Sequence, residues 1–176
     1  MLYTRKGDEG TSGLFGTKDR LPKNSPIYDA LGSLDELNSL LGLCRARLVS
    51  YSLFRLQDAV QKSQESLFII QAELAGAEKA LTQEHVDILE NTVDSIEKLI
   101  ENPHAFVIPG ATELSGLLDY ARAVSRRTER VVISVRTNHT ISPISVAYLN
   151  RLSSFLYAMA RYAAAEAKAK ESSPSY

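Results

Sequence analysis

Between Tyr3 and Lys18 the chain places four of its nine glycines, Gly7, Gly10, Gly13 and Gly16, among the hydroxyls of Thr4, Thr11, Ser12 and Thr17 and the cations Arg5, Lys6 and Lys18. Glycines let backbone N–H groups turn toward one point, short hydroxyls add donors and the cations add charge. This composition suits a polyphosphate anion. It is not the common phosphate loop, because five residues separate Gly10 from Gly16 and Thr17-Lys18 follow in reversed order. A glycine-rich surface terminus is the alternative reading of the same residues.

A second charged group lies at helical spacing. Arg122, Arg126 and Glu129 share one stripe and Arg130 continues it, with Arg127 beside them. Like charges four apart cost an isolated helix roughly 0.2–0.5 kcal/mol, and one glutamate only partly offsets several arginines. An anionic partner would resolve the surplus, since the planar guanidinium binds phosphate or carboxylate with two parallel bonds. A solvated face with Glu129 pairing locally is the competing reading.

Asp35-Glu36-Leu37-Asn38 sets two acids and an amide within a leucine-rich stretch, and a carboxylate there calls for a cation in the chain or across an oligomer contact. Glu36 reads as plain surface. Asn150, between Leu149 and Arg151, suits either a helix–helix hydrogen bond or a ligand contact. His85 and His139 read as exposed. Glu101-x-x-His104 copies a di-iron spacing only superficially, because Pro103 interrupts the helix that geometry needs. No Ser-His-Asp or Cys-His arrangement is evident.

The elements that must position these residues follow from periodicity. Ser25-Pro26 is a cap and first helical position, and Ile27, Leu31, Leu34 and Leu41 carry one apolar stripe to about Arg47. A second helix is expected from Leu53 to Leu74. A third follows Thr82 until Asn102-Pro103, a fourth runs from Thr112 to about Thr137, and a fifth follows Ser142-Pro143 to about Lys170. Val131–Val135 is β-branched but continues the fourth helix's period, so it is assigned there. The expected fold is all-α, a five-helix up-and-down bundle behind an ordered loop. The chain of 176 residues reads as one domain, with a loop over 1–24, a bundle over 25–170 and a frayed tail over 171–176.

Twenty Lys and Arg against 21 Asp and Glu leave a net charge of −1, so no global field recruits nucleic acid or a membrane surface. Cys44 is the sole cysteine, which excludes an internal disulfide and suits a reducing compartment. Charges at Arg5, Lys6, Asp8 and Glu9 stand where a secretory signal needs an apolar core, and no run approaches about 18 apolar residues. A cytoplasmic location is expected.

Tyr3-Thr4-Arg5-Lys6-Gly7-Asp8 through Leu14-Phe15-Gly16, and Gly32-Ser33-Leu34-Asp35-Glu36-Leu37-Asn38-Ser39, resemble motifs of the PduO-type ATP:cob(I)alamin adenosyltransferases. So do Phe106-Val107-Ile108-Pro109-Gly110, Ala121-Arg122 through Val132, and Tyr148-Leu149-Asn150-Arg151-Leu152-Ser153, in the same order. The resemblance implies transfer of the 5′-deoxyadenosyl group of ATP to cob(I)alamin by a homotrimer with sites between subunits, Mg²⁺ assisting. It implies ATP binding by Thr4, Arg5, Lys6, Gly7, Ser12, Gly13, Lys23, Arg126, Arg127, Glu129, Arg130 and Asn150. Arg126, Glu129 and Phe106 would act in catalysis, Phe106 facing the corrinoid, and Asp35 would pair with Arg122 of a neighbouring subunit. A flavin-dependent cob(II)alamin reductase is an implied partner. Ala111 departs from the family's second glycine, as does the stretch Thr17 to Leu21. A non-catalytic ATP-binding regulatory bundle is the alternative.

Overall fold

The computed structural model describes residues 2–15, 17–50, 53–101, 103 and 105–176. Gly16 of the loop motif, Asn102 of the expected helix stop and His104 of the Glu-x-x-His spacing lie outside the described residues. Among the described residues five helices form: α1 Pro26–Ser50, α2 Phe54–Leu74, α3 Gln83–Glu97, α4 Glu113–Ser134 and α5 Pro143–Glu166. Helix α1 packs on α2 and α4, and α5 packs on α4 and α3. The expected stripes are the buried faces. Ile27, Leu34, Leu37 and Leu41 of α1 meet Leu118 of α4 and Leu149, Leu152 and Phe155 of α5 in one core. Each such aliphatic side chain contributes roughly 2 kcal/mol through the apolar area it withdraws from water.

The ends are set as their sequences require. The Thr112 hydroxyl accepts from Ser115 N–H at 3.0 Å and the Ser142 hydroxyl from Ser145 N–H at 3.1 Å. Thr82 N–H donates to Nδ1 of His85 at 3.2 Å, giving that histidine a capping role. Gly76 closes α2 at φ +92°, a left-handed turn that a side chain resists. The start of α5 has a second cap from another helix. Glu73, 7% exposed near the end of α2, accepts from Ser142 N–H at 2.7 Å and Ser145 Oγ at 2.5 Å, so its carboxylate meets the positive end of the α5 dipole.

Three details differ from expectation. A two-stranded antiparallel hairpin, β1 Thr11–Gly13 with β2 Arg20–Pro22, pairs Ser12 with Leu21 inside the glycine-rich stretch. Three-residue strands are too short for a period-two signal. Helices α3, α4 and α5 stop at Glu97, Ser134 and Glu166, earlier than expected. The tail is engaged rather than frayed, because Glu171 pairs with Arg161 and the Ser172 carbonyl accepts from Ile108 N–H at 2.8 Å. Among the described residues no helix is long and apolar enough to cross a membrane.

Candidate functional site

The N-terminal loop is held by its own backbone and by one arginine. Arg20 Nη2 donates to the carbonyls of Lys6 and Thr11 at 2.6 and 2.7 Å, and its Nε to Thr11 Oγ1 at 3.0 Å. Lys23 N–H donates to the Gly10 carbonyl at 2.8 Å, and the Tyr28 hydroxyl ties the Ser12 carbonyl to α1 at 2.5 Å. A Cβ on Gly7 would lie 2.9 Å from Lys23 Nζ, the far end of a flexible side chain. This contact brings Lys23 to the turn formed by Thr4, Arg5, Lys6 and Gly7. Arg5 adopts φ 60°, its guanidinium 5.4 Å from the centre of the Tyr3 ring, and Lys6 N–H points at Thr4 Oγ1, 3.4 Å away. Ser12 and Gly13 lie on β1. None of Arg5, Lys6 and Lys23 forms an ion pair among the described residues.

Helix α4 separates its arginines by face. Arg122 and Arg126 line a cleft of about 310 Å³ between α3, α4 and α5, together with Glu97, Ser153, Tyr157 and Arg161. The Arg122 guanidinium stands 5.5 Å from the centre of the Tyr157 ring. One turn on, Glu129 Oε1 accepts from Asn150 Nδ2 at 3.2 Å, and Asn150 Oδ1 accepts from Arg151, which itself bonds Glu90 at 2.7 Å. The Asn150 side chain is thus fixed at both ends. Arg130 Nη1 donates to the Arg126 carbonyl at 3.0 Å. Among the described residues Arg122, Arg126 and Arg130 have no ion-pair partner.

Arg127 faces elsewhere. Its Nη2 lies 2.7 Å from both oxygens of Glu36 on α1, giving Glu36 a partner that the sequence reading did not foresee. Beside it Thr128 Oγ1 bonds the Ser33 carbonyl. The pair is half exposed and worth at most about 1 kcal/mol. Asp35, exposed on α1, has no ion-pair partner among the described residues, so the expected Asp35–Arg122 pair does not form within one protomer. Phe106 is 80% exposed in the segment before α4.

The structure therefore gathers Thr4, Arg5, Lys6, Gly7 and Lys23 in one loop, and Arg122, Arg126, Glu129, Arg130 and Asn150 along the α4–α5 face. Among the described residues no hydrogen bond or ion pair joins a loop cation to an α4 side chain. Sequence reasoning missed Arg20, Glu73 and Arg161. Arg161 carried a signal: a lone arginine among Met159, Ala160 and Ala163–Ala165 has nowhere to go but a buried partner. Its Nη2 donates to Asp119 at 2.5 Å. Burial pushes the Asp119 carboxyl above its ordinary value, while Arg161 and then Arg122 pull it back.

The family profile described as cobalamin adenosyltransferase matches residues 2–163. The chain is 38% identical over 167 residues to a corrinoid adenosyltransferase of Citrobacter freundii, covering 91% of this chain and 93% of that one. It is 36% identical over 167 residues to the corrinoid adenosyltransferase PduO of Salmonella typhimurium, covering 91% of this chain but only 48% of that protein, so it spans about half the length of that relative. Among solved structures it is similar to a variant PduO-type ATP:corrinoid adenosyltransferase from Lactobacillus reuteri complexed with cobalamin and ATP. There the TM-score is 0.91 and the identity 29%, over 99% of this chain and 96% of that one.

Proposed function

The chain belongs to the cobalamin adenosyltransferase family, and from that premise we propose that it transfers the 5′-deoxyadenosyl group of ATP to the cobalt of cob(I)alamin, giving adenosylcobalamin and triphosphate. The observation that carries this reading is the α4 stripe, where among the described residues Arg122, Arg126 and Arg130 stand without an ion-pair partner beside the fixed Glu129–Asn150 pair. A surplus of positive charge so arranged suits a polyphosphate.

In this reaction the electron pair of Co(I) attacks the 5′ carbon, the cobalt–carbon bond forms, and the C5′–O bond breaks with both its electrons leaving on triphosphate. The nucleophile is the substrate's own metal, so the protein has no need of a catalytic Ser, Cys or His. Its work is alignment and charge management. Holding the two substrates at near-attack distance lowers the barrier by several kcal/mol through translational freedom surrendered on binding. Lys6, Lys23 and the loop N–H groups cradle the triphosphate, and Arg126 with Arg130 stabilises the charge that grows on it. Glu129 and Asn150 orient Arg126 and the ribose. Arg127, tied to Glu36, contributes from outside this line.

The donor set facing this site is mainly cationic, with Glu129 as its one carboxylate on α4. Such a set does not itself hold Mg²⁺, which would arrive on the triphosphate oxygens and neutralise part of their charge. Among the described residues no hydrogen bond or ion pair joins the loop cations to the α4 arginines, and a site built from both is completed by a neighbouring subunit of a homotrimer, with Asp35 reaching Arg122 across the contact. The exposed Phe106 ring offers an apolar wall to the lower face of the corrin. Such a wall excludes an axial ligand and eases reduction of Co(II). A flavin-dependent reductase would supply the electron in a cytoplasmic setting.

Arg126→Ala tests the reading. With cob(I)alamin and MgATP, its kcat/KM is expected to fall about a hundredfold or more, the cost of one preorganised charge donor. The assembly should keep its native sedimentation. A value within about twofold of wild type would remove the stripe from the chemistry.

A further inference from the structure

The chain leaving α5 doubles back on the bundle. Lys168 adopts φ 52°, and N–H groups of Lys168 and Ala169 donate to the carbonyls of Ala165 and Ala164 at 2.9 and 3.0 Å. This is the reversal that glycine normally closes, and a lysine held left-handed is strained. Contacts farther along must hold it. Glu171 lies 2.9 Å from Nη1 of Arg161, and the Ser172 carbonyl accepts from Ile108 N–H at 2.8 Å.

Arg161 is 3% exposed, and its other terminal nitrogen bonds Asp119 of α4 while its guanidinium packs 5.0 Å from the centre of the Tyr157 ring. Arg161 therefore joins α5 to α4 by its hydrogen bond to Asp119 and holds the tail by an ion pair with Glu171, whose Oε1 makes no hydrogen bond among the described residues. A buried ionic triad is weak evidence for stability, since desolvation offsets most of its attraction; its better attested use is to fix one arrangement among several. Burial pushes the Glu171 carboxyl up, Arg161 lowers it and Asp119 raises it, as three groups sharing one desolvated place require.

The arrangement fixed is that of the segment carrying Phe106. Ile108, two residues on, is bonded to the tail, and Gly110 at φ +103° lies against α4, where a Cβ on Gly116 would come within 3.2 Å of the Gly110 Cα. The segment is clamped on both sides while the Phe106 ring stays exposed.

We propose that Glu171, held by Arg161, is a positioning residue that fixes the Phe106 segment through the Ser172–Ile108 hydrogen bond. The consequence for cobalt rests on the transferase reading given above: the latch matters when Co(II) must be reduced on the protein and not when Co(I) is supplied. Glu171→Ala in the full chain tests this, because it leaves Arg161 paired with Asp119. Hydrogen exchange at the Ile108 amide is expected to speed up about tenfold or more as its closing free energy falls. Turnover from cob(II)alamin with a reductant should fall about tenfold, while turnover from prereduced cob(I)alamin and ATP affinity stay within about twofold of wild type. Glu171→Gln, which keeps the side chain's size but removes the charge that pairs with Arg161, should share both losses.

Unchanged exchange at Ile108 overturns the latch. So does a Co(II) rate that is unaffected or that falls in step with the Co(I) rate. A wild-type chain that forms no adenosylcobalamin from either cobalt state would instead defeat the transferase reading, and Ile108 exchange would still decide the latch.

Discussion

Arg126 and Arg127 are neighbours in sequence with different tasks, because 100° of helix rotation sends one to the α3–α5 cleft and the other to Glu36 on α1. Burial makes a comparable distinction for the sole cysteine. Cys44 is fully buried in the α1 core, and desolvation pushes its thiol from 9.0 to about 12. The folded state therefore favours the protonated thiol, a contribution fully present below about pH 9 and lost as pH rises toward 12. Native protein at pH 8 is expected to resist a disulfide-exchange reagent until denatured, with one thiol then appearing; prompt labelling of the native protein would mean that the α1 core opens. At this scale the sequence was legible where residue type and spacing act together. The α4 stripe was visible, as was Asn150, whose amide is now seen held by Glu129 and Arg151. Arg20 was not, because its partners are backbone carbonyls fourteen and nine residues away, which no side-chain pattern announces.

Among the elements, α5 carries the most, since it faces both α4 and α3 and supplies Asn150, Tyr157 and Arg161. Its start is fixed by Glu73 from α2, a charge-assisted cap on two groups of a helix N-terminus. Glu73→Ala should cost about 2–3 kcal/mol in urea unfolding, the range for losing hydrogen bonds to a buried charged group. A loss below about 0.5 kcal/mol would show that the serine caps suffice alone. Helix positions were legible because the apolar stripes repeat every three to four residues and Ser25-Pro26, Thr112 and Ser142-Pro143 mark the starts. The hairpin β1–β2 and the engaged tail were not. Each is held by a few long-range backbone bonds, which leave no period in three to six residues.

In the whole molecule, one protomer presents two cationic groups. The N-terminal loop carries Arg5, Lys6 and Lys23 beside Gly7, the helical face carries Arg122, Arg126 and Arg130, and among the described residues no hydrogen bond or ion pair joins the two. The order of the motifs made the family legible, but the placing of the arginines on one helical face needs the packing of α4 against α5. Both cationic groups are proposed as grips on a leaving triphosphate, with cobalt as the attacking atom. The most direct measurement is therefore an anaerobic reaction of the full chain with cob(I)alamin and MgATP, following the Co(I) spectrum and resolving the phosphate products. One adenosylcobalamin and one intact triphosphate are expected for each Co(I) consumed. Release of pyrophosphate or orthophosphate, or ATP binding with the Co(I) spectrum unchanged, would contradict that.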